Sequence, residues 1–443
     1  MIKQKTVSLI YPCLRDNGFG NLGRHPGNCY IPHGLPQLAA CLNQEGYDVN
    51  LLDFRDVEGW SQVEAWIRSD NAEVYGITCP TLDYYEAVKT AQLIKQVKPA
   101  AKVIVGGPHP SIMPQETAQE HAFDYVVAGE GEVTFPMMLE NLEACPKIIH
   151  AVHPDLDKLP YEKREIFNLK KIFKTKHPVF KQPTVSVMCG RGCLYNCTFC
   201  QPAEKKIFGK FRMRSLDHFF GEIEMLNRTY NFNTLIIDDD SFTLKPDYTA
   251  AFCERYSKIK KPFVCQSRVD FICNNEDLIK RLHECGLVMM NVGFESGNQR
   301  ILDFLGKGTT VEQNLEAGRI LHKYKIGIFA NHMIGIPTET KEEVLDTLRM
   351  IRKIAPEYPA LAFFTPSYGS YLYDYCKTNN LLLSDDPVLL GRRNPTEPKI
   401  KGVDYEWLTL QLNSPRTRLH SLVPTAIKNR IPNRIKRRIR KIA

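Results

Sequence analysis

Met188-Cys189-Gly190-Arg191-Gly192-Cys193-Leu194-Tyr195-Asn196-Cys197-Thr198-Phe199-Cys200 is the stretch around which the rest of the chain makes sense. Cys193, Cys197 and Cys200 stand in a Cys-x-x-x-Cys-x-x-Cys frame. Each gap is about one turn of a tight loop, so the three thiolates can turn toward one inorganic centre. Three thiolates on a 4Fe–4S cube leave one iron without a protein ligand, which suits chemistry at that iron better than electron storage alone. Tyr195 and Phe199 lie between the ligands, where they can pack against the cube and exclude water. A zinc knuckle is the competing reading, but structural zinc takes four ligands, usually in two pairs, and no second pair stands nearby at such spacing. Cys189 reads as a packing residue.

Downstream of this loop, apolar runs of strand length alternate with helical patterns. Thr184–Met188 delivers the chain into the loop, and Thr234–Ile237, Phe263–Gln266, Val288–Phe294, Gly327–Met333 and Leu361–Phe364 follow. The helical patterns between them are Leu216–Thr229, Tyr248–Lys258, Glu276–Cys285, Val311–Tyr324, Lys341–Ile354 and Tyr371–Thr378. Six strand–helix units predict a partial parallel barrel over 184–380 with its chemistry at the carboxyl ends of the strands. Polar residues stand there: Asp238-Asp239-Asp240-Ser241, Gln266-Ser267-Arg268, Glu295-Ser296-Gly297, His332 with Gly335-Ile336-Pro337, and Ser367-Tyr368-Gly369. Carboxylates at one mouth can hold an ammonium group or a ribose diol, and an arginine can pair with a carboxylate.

Upstream, five apolar runs (Thr6–Tyr11, Val49–Phe54, Val74–Cys79, Lys102–Val105 and Tyr125–Ala128) alternate with helical patterns over 1–145, which predicts a doubly wound parallel sheet. Ligands of such sheets bind beyond the carboxyl ends of the strands, where the strand order reverses. Thr78-Cys79-Pro80-Thr81, Gly106-Gly107-Pro108-His109 and Gly129-Glu130-Gly131-Glu132 occupy those ends. Their glycines admit a large flat ligand and their hydroxyls can bond its polar substituents. No Gly-x-Gly-x-x-Gly follows the first strand, against a dinucleotide. Residues 146–183, rich in Lys, Pro and His, read as a linker, and Asp385–Gly402 as a loop.

The chain has 443 residues, 43% apolar and 24% charged, an ordinary balance for two or three globular domains. No apolar run is long enough to span a bilayer and the first residues lack the core of a signal peptide, so a cytoplasmic location is expected. Fourteen scattered cysteines agree with a reducing compartment. The net charge of +8 belongs to the end of the chain: from Arg416 onward there are ten Lys or Arg and no acid, leaving 48 basic against 50 acidic residues elsewhere. In the C-terminal extension, 381–443, Ile427, Ile431, Ile435 and Ile439 form a helical stripe among these charges, a pattern suited to peripheral contact with an anionic membrane and a lipid-like substrate. Without interleaved aromatics it does not read as a nucleic-acid surface.

The stretch from about Thr184 to Gly369 resembles the radical SAM superfamily. The likeness rests on Gly192–Cys200, Asp238-Asp239-Asp240, Arg268-Val269-Asp270, Gly293-Phe294-Glu295-Ser296-Gly297, Lys307-Gly308-Thr309-Thr310 and Gly335-Ile336-Pro337-Thr338-Glu339-Thr340. It implies that Cys193, Cys197 and Cys200 hold a 4Fe–4S cluster and that S-adenosyl-L-methionine (SAM) chelates the fourth iron. An electron from a donor such as flavodoxin or ferredoxin would then release a 5′-deoxyadenosyl radical. By the resemblance, Asp239 would take the SAM amino group, Glu295 and Ser296 would lie near its ribose, and Arg268 and Gly335 would be further SAM contacts. The methylthiotransferases of the superfamily carry additional cluster cysteines in an N-terminal domain, a pattern that Cys13, Cys29, Cys41 and Cys79 do not match.

The first domain resembles the flavodoxin-like cobalamin-binding domain of cobalamin-dependent radical SAM enzymes. The resemblance is carried by Gly34-Leu35-Pro36-Gln37-Leu38-Ala39-Ala40 and Gly46-Tyr47-Asp48-Val49, by Gly106-Gly107-Pro108-His109-Pro110, and by Asp124 through Glu132. It implies a cobalamin held by Thr78, Thr81, Gly106, Gly107, Gly129, Glu130, Gly131 and Glu132. The chain lacks Asp-x-His-x-x-Gly, which implies a cobalt without a histidine lower ligand. The expected function is methylation of an unactivated carbon of a small-molecule or lipid-like substrate. A cyclase, oxidase or ring-contracting enzyme would use the same cofactors. A non-catalytic cobalamin or cluster sensor would need no open iron.

Overall fold

Six strands make the first sheet: β1 (Thr6–Tyr11), β2 (Asp48–Asp53), β3 (Val74–Thr78), β4 (Lys102–Gly106), β5 (Tyr125–Ala128) and β6 (Ile148–His150). In the computed structural model, which describes residues 5–13, 18–24, 30–175, 179–391 and 397–413, they run parallel in the order β2-β1-β3-β4-β5-β6. Alternation along each strand sends its apolar residues to two cores. On one face Ile10, Ile77, Val103 and Val105 pack with Val63 and Ile67 of the helix Trp60–Ser69 and with Ala87, Ala91 and Ile94 of Tyr84–Val97. On the other, Val7, Leu9, Ile104 and Val127 pack with Leu35, Ala39 and Leu42 of Gly34–Gln44 and with Phe135 and Leu139 of Gly131–Glu140.

By their contacts the residues fall into two compact units. Among the described residues the first comprises 5–13, 18–24, 30–175, 179–194, 200–236 and 386–391; the second comprises 195–199, 237–385 and 397–413. Residues 146–183 contain regular structure of their own. β6 pairs with β5 through Val126↔Ile148, Val127↔Ile149 and Ala128↔His150, and Phe167 together with Ile172 of the short helix Leu169–Lys174 joins the second core. Asp385–Gly402 also departs from a simple loop, since it contains the helix Pro387–Gly391.

The second alternation is present as expected. β7 (Thr184–Val187) leads through a small ribbon, β8 (Gly190–Arg191) with β9 (Arg212–Met213), to β10 (Thr234–Ile237), β11 (Phe263–Ser267), β12 (Leu287–Glu295), β13 (Gly327–Ile334) and β14 (Tyr358–Phe363). Setting the ribbon aside, these are six strands, each followed by a helix, the alternation that a partial (β/α)6 barrel requires. In the second unit β11 to β14 pair in parallel in chain order. Its helices Val311–Lys323 and Lys341–Ile354 start at capping boxes, Thr310 with Gln313 and Thr340 with Glu343, which fixes where each helix begins after its strand.

No helix among the described residues is long and apolar enough to cross a membrane. The basic isoleucine stripe lies outside the described residues.

Candidate cofactor sites

In the first unit the strand order reverses between β1 and β3, so the crevice of the sheet opens at their carboxyl ends. The loops there are laced together. Cys79 N–H donates to Gly106 O at 2.8 Å, and His109 N–H to Cys79 O at 2.9 Å. Ser111 Oγ donates to Gly107 O at 2.8 Å and accepts from Gly129 N–H at 2.8 Å, which ties the loop after β4 to the loop after β5. Ser111 was not among the expected residues, and only its place four residues after a glycine pair hints at it.

The glycines have separate reasons to be glycine. Gly107 has φ +98°, and a Cβ there would stand 3.0 Å from Thr78 Oγ1 and 3.1 Å from Cys79 N. Gly129 has φ +107° and would meet Ala151 Cβ at 3.2 Å. At Gly106 the nearest atoms are 3.8 Å away, so nothing in the protein itself demands the missing side chain. That spare space at the carboxyl end of β4 fits a large ligand resting on backbone. Thr81 Oγ1 lies 3.3 Å from His109 Nδ1, and His109 is buried against Tyr84, with burial pushing its pKa down to about 4.

Glu130 and Glu132 are each paired with a basic side chain. Arg191 Nη1 lies 2.5 Å from Glu130 Oε1 and 2.7 Å from Glu132 Oε1; Arg212 and His153 close on the other oxygen of Glu130. Burial works against the Arg191 charge, yet the carboxylates of Glu132 and Glu130 outweigh it and hold the guanidinium well above its ordinary pKa. Arg191, two residues before Cys193 in the chain, faces Arg212 across the β8–β9 ribbon. These glutamates thus fasten the start of the cysteine loop to the end of β5, a role that sequence separation hid.

In the second unit the segment Tyr195–Phe199 is held at several points. Thr198 N–H donates to Leu305 O at 2.9 Å, Thr198 Oγ1 to Phe304 O at 3.0 Å, and Leu372 N–H to Thr198 O at 2.9 Å. Arg268, 7% exposed, spreads its guanidinium over Tyr195 at 3.4 Å from the ring centroid. Its Nη1 lies 3.8 Å from Cys197 Sγ, its Nη2 donates to Lys307 O at 2.7 Å, and Asp270 pairs with its Nε at 3.1 Å. A cavity of about 160 Å³ opens beside this cluster, lined by Tyr195, Ser241, Arg268, Asp270, Asn274 and Asn275.

The remaining expected SAM residues divide. Asp239 is buried at 4% exposure, just after β10. Glu295 sits at φ +61° and pairs with Lys307 at 2.9 Å. Ser296 is fully buried, and its hydroxyl lies 3.2 Å from Thr347 Oγ1. Gly335, at φ +75°, gives its N–H to Glu339 Oε2 at 2.6 Å. Thr198, Lys307 and Asp270 complete the site and were not expected as site residues, although all three stand inside motifs already singled out.

Among the described residues no three His, Cys, Asp or Glu side chains converge as ligands of a single ion would. A cube asks for a different arrangement, since each cysteine bonds a different iron, and three thiolates in this frame fit that donor set.

A family model of the B12 binding domain matches residues 22–139, and one of the radical SAM superfamily matches residues 187–351. An uncharacterized methyltransferase of Pyrococcus horikoshii is 29% identical over 376 residues, spanning 80% of each chain. The anaerobic magnesium-protoporphyrin IX monomethyl ester cyclase of Rubrivivax gelatinosus is 26% identical over 394 residues, covering 81% of this chain and 68% of the cyclase. The solved structure of the radical S-adenosylmethionine methyltransferase TsrM from Kitasatospora setae superposes with a TM-score of 0.66 at 16% identity, over 84% of this chain and 76% of TsrM, which is a likeness of fold.

Proposed function

Since the chain belongs to the cobalamin-dependent radical SAM enzymes, joining a B12 binding domain to a radical SAM domain, we propose that it is a methyltransferase acting on an unactivated carbon of a small-molecule or lipid-like substrate. When bound, the cofactors supply reductive cleavage of SAM to a 5′-deoxyadenosyl radical and a cobalt that can carry a methyl group. Cys193, Cys197 and Cys200 would hold the cluster. Thr78, Thr81, Gly106, Gly107, Gly129 and Gly131 would form the bed for the corrin. Asp239, Glu295 and the Gly335 turn would take SAM. Glu130 and Glu132 serve this site through Arg191, by fixing the chain that enters the cysteine loop.

The observation that carries the reading is the open bed at Gly106 in the same chain as a three-cysteine loop whose central segment is clamped by Thr198 and covered by Arg268. Tyr195 and Phe199 flank Cys197 in the chain, and Cys197 is buried. Methyl transfer is favoured over cyclisation because the methyltransferase relative from Pyrococcus horikoshii aligns over more of its own length than the cyclase does.

Anaerobic reconstitution with iron, sulfide and hydroxocobalamin, followed by SAM and a one-electron reductant such as reduced flavodoxin or ferredoxin, tests this. S-adenosylhomocysteine and 5′-deoxyadenosine are both expected by mass spectrometry. Formation of 5′-deoxyadenosine with no S-adenosylhomocysteine under any reducing condition would turn the assignment to a cyclase or oxidase.

A further inference from the structure

Arg268 of the second unit aims its charge at the sulfur of an expected cluster ligand. Its Nη1 stands 3.8 Å from Cys197 Sγ, at the outer range for an N–H···S contact, and the residue is 7% exposed. The side chain has little freedom to leave. Tyr195 lies flat beneath the guanidinium at 3.4 Å, Lys307 O accepts from Nη2 at 2.7 Å, and Asp270 holds Nε at 3.1 Å. Tyr195 Oη in turn donates to Asp270 Oδ2 at 3.4 Å. A cation so fixed at a thiolate stabilises the cluster state with one more electron, because reduction adds negative charge that the guanidinium attracts and the buried setting screens weakly. Asp270 opposes it with a carboxylate that is 23% exposed on its side chain, so its effect is weaker and of opposite sign.

We propose that Arg268 is a positioning residue that raises the reduction potential of the cluster through Cys197, with Asp270 setting how far. This rests on the assignment of Cys193, Cys197 and Cys200 to a cluster. It differs from a contact with SAM in predicting an effect when no SAM is present.

The test is an EPR-monitored redox titration of reconstituted protein without SAM, in wild type, Arg268→Lys, Arg268→Met and Asp270→Asn, with iron and sulfide measured in each. Arg268→Met should lower the reduced-to-oxidised ratio at a fixed poise on the order of tenfold, about 59 mV for a one-electron couple, with Arg268→Lys between it and wild type. Asp270→Asn should shift the potential the opposite way. If Arg268→Met loses its cluster, the paired shifts of Arg268→Lys and Asp270→Asn decide the matter. A filled cluster with unchanged potential in Arg268→Lys and Asp270→Asn, or shifts of the same sign in both, overturns the proposal. A wild-type protein that assembles no cluster overturns the cluster assignment itself, and this proposal falls with it.

Discussion

Lys307 Nζ lies 2.9 Å from Glu295 Oε1, and both side chains are under a tenth exposed. The pair is set by backbone that leaves no alternative. Glu295 takes φ +61°, and the absent side chain of Gly293 makes room, because a Cβ there would stand 2.3 Å from Glu295 Oε1 and 2.8 Å from Lys307 Nζ. Removing one partner leaves the other as an unpaired buried charge. Lys307→Met should therefore cost about 3–5 kcal/mol of stability, and the double change with Glu295→Gln should recover part of it. Urea unfolding of the two proteins and wild type measures this; equal losses in the single and double variants would show the pair to be irrelevant.

The two glycines after β4 separate folding from ligand binding. Gly107→Ala must adopt φ +98° and press on Thr78 Oγ1 and Cys79 N, which should cost about 1–3 kcal/mol in apo-protein. Gly106→Ala meets nothing within 3.8 Å and should stay within about 0.5 kcal/mol of wild type, yet lose at least tenfold in cobalamin affinity by absorbance titration. Normal affinity in Gly106→Ala would remove this strand end from the corrin bed.

Two buried groups of the second unit respond to pH in opposite directions. Burial raises the Glu339 carboxyl to about 7. The folded protein therefore keeps a proton that the unfolded chain releases near pH 4.5, and stability is lost as pH rises from about 4.5 to about 7. Burial lowers His332 to about 4. There the unfolded chain takes up a proton near pH 6.5 that the folded protein refuses, and stability is lost as pH falls from about 6.5 to about 4. The two slopes offset each other in wild type between about pH 4.5 and 6.5. Glu339→Gln should abolish its share, leaving a variant stabilised relative to wild type at pH 7.5 by about 1–2 kcal/mol and not at pH 4.5. Denaturant midpoints at the two pH values check the sign.

What could be read from the sequence follows the distance over which each signal acts. β1, β5 and β10, and the helices Glu276–Cys285 and Lys341–Ile354, fall on the residues their periodicity marks, because alternation and 3.6-residue spacing are written in neighbouring positions. β6 escaped because three residues are too few to show a period, and its existence depends on pairing with β5. The cysteine frame, Arg268 and Glu295 were visible as residues with the right chemistry. Their partners were not: Lys307, Thr198 and Ser111 act through contacts made by the fold, and the Ser296 hydroxyl is turned to Thr347, fifty-one positions away.

The same limit hid the link from Glu130 to the cysteine loop, and it yields the last expectation. Arg191 Nη1 reaches both Glu130 and Glu132, and Arg212 reaches Glu130 from the neighbouring strand of the ribbon. Glu130→Gln keeps the shape but leaves two guanidinium groups short of one carboxylate in a setting where the Glu130 side chain is 3% exposed. Loss of about 3 kcal/mol is expected, present equally in apo-protein and in protein loaded with cobalamin, because the carboxylate is occupied by arginine rather than by ligand. Charge reversal at Arg191, Arg191→Glu, should be worse than Arg191→Gln, since three carboxylates would then share one pocket. Both series are read by thermal unfolding with and without hydroxocobalamin. A destabilisation in Glu130→Gln that appears only in the cobalamin-loaded protein would return Glu130 to the corrin and sever its proposed tie to the loop that begins at Cys193.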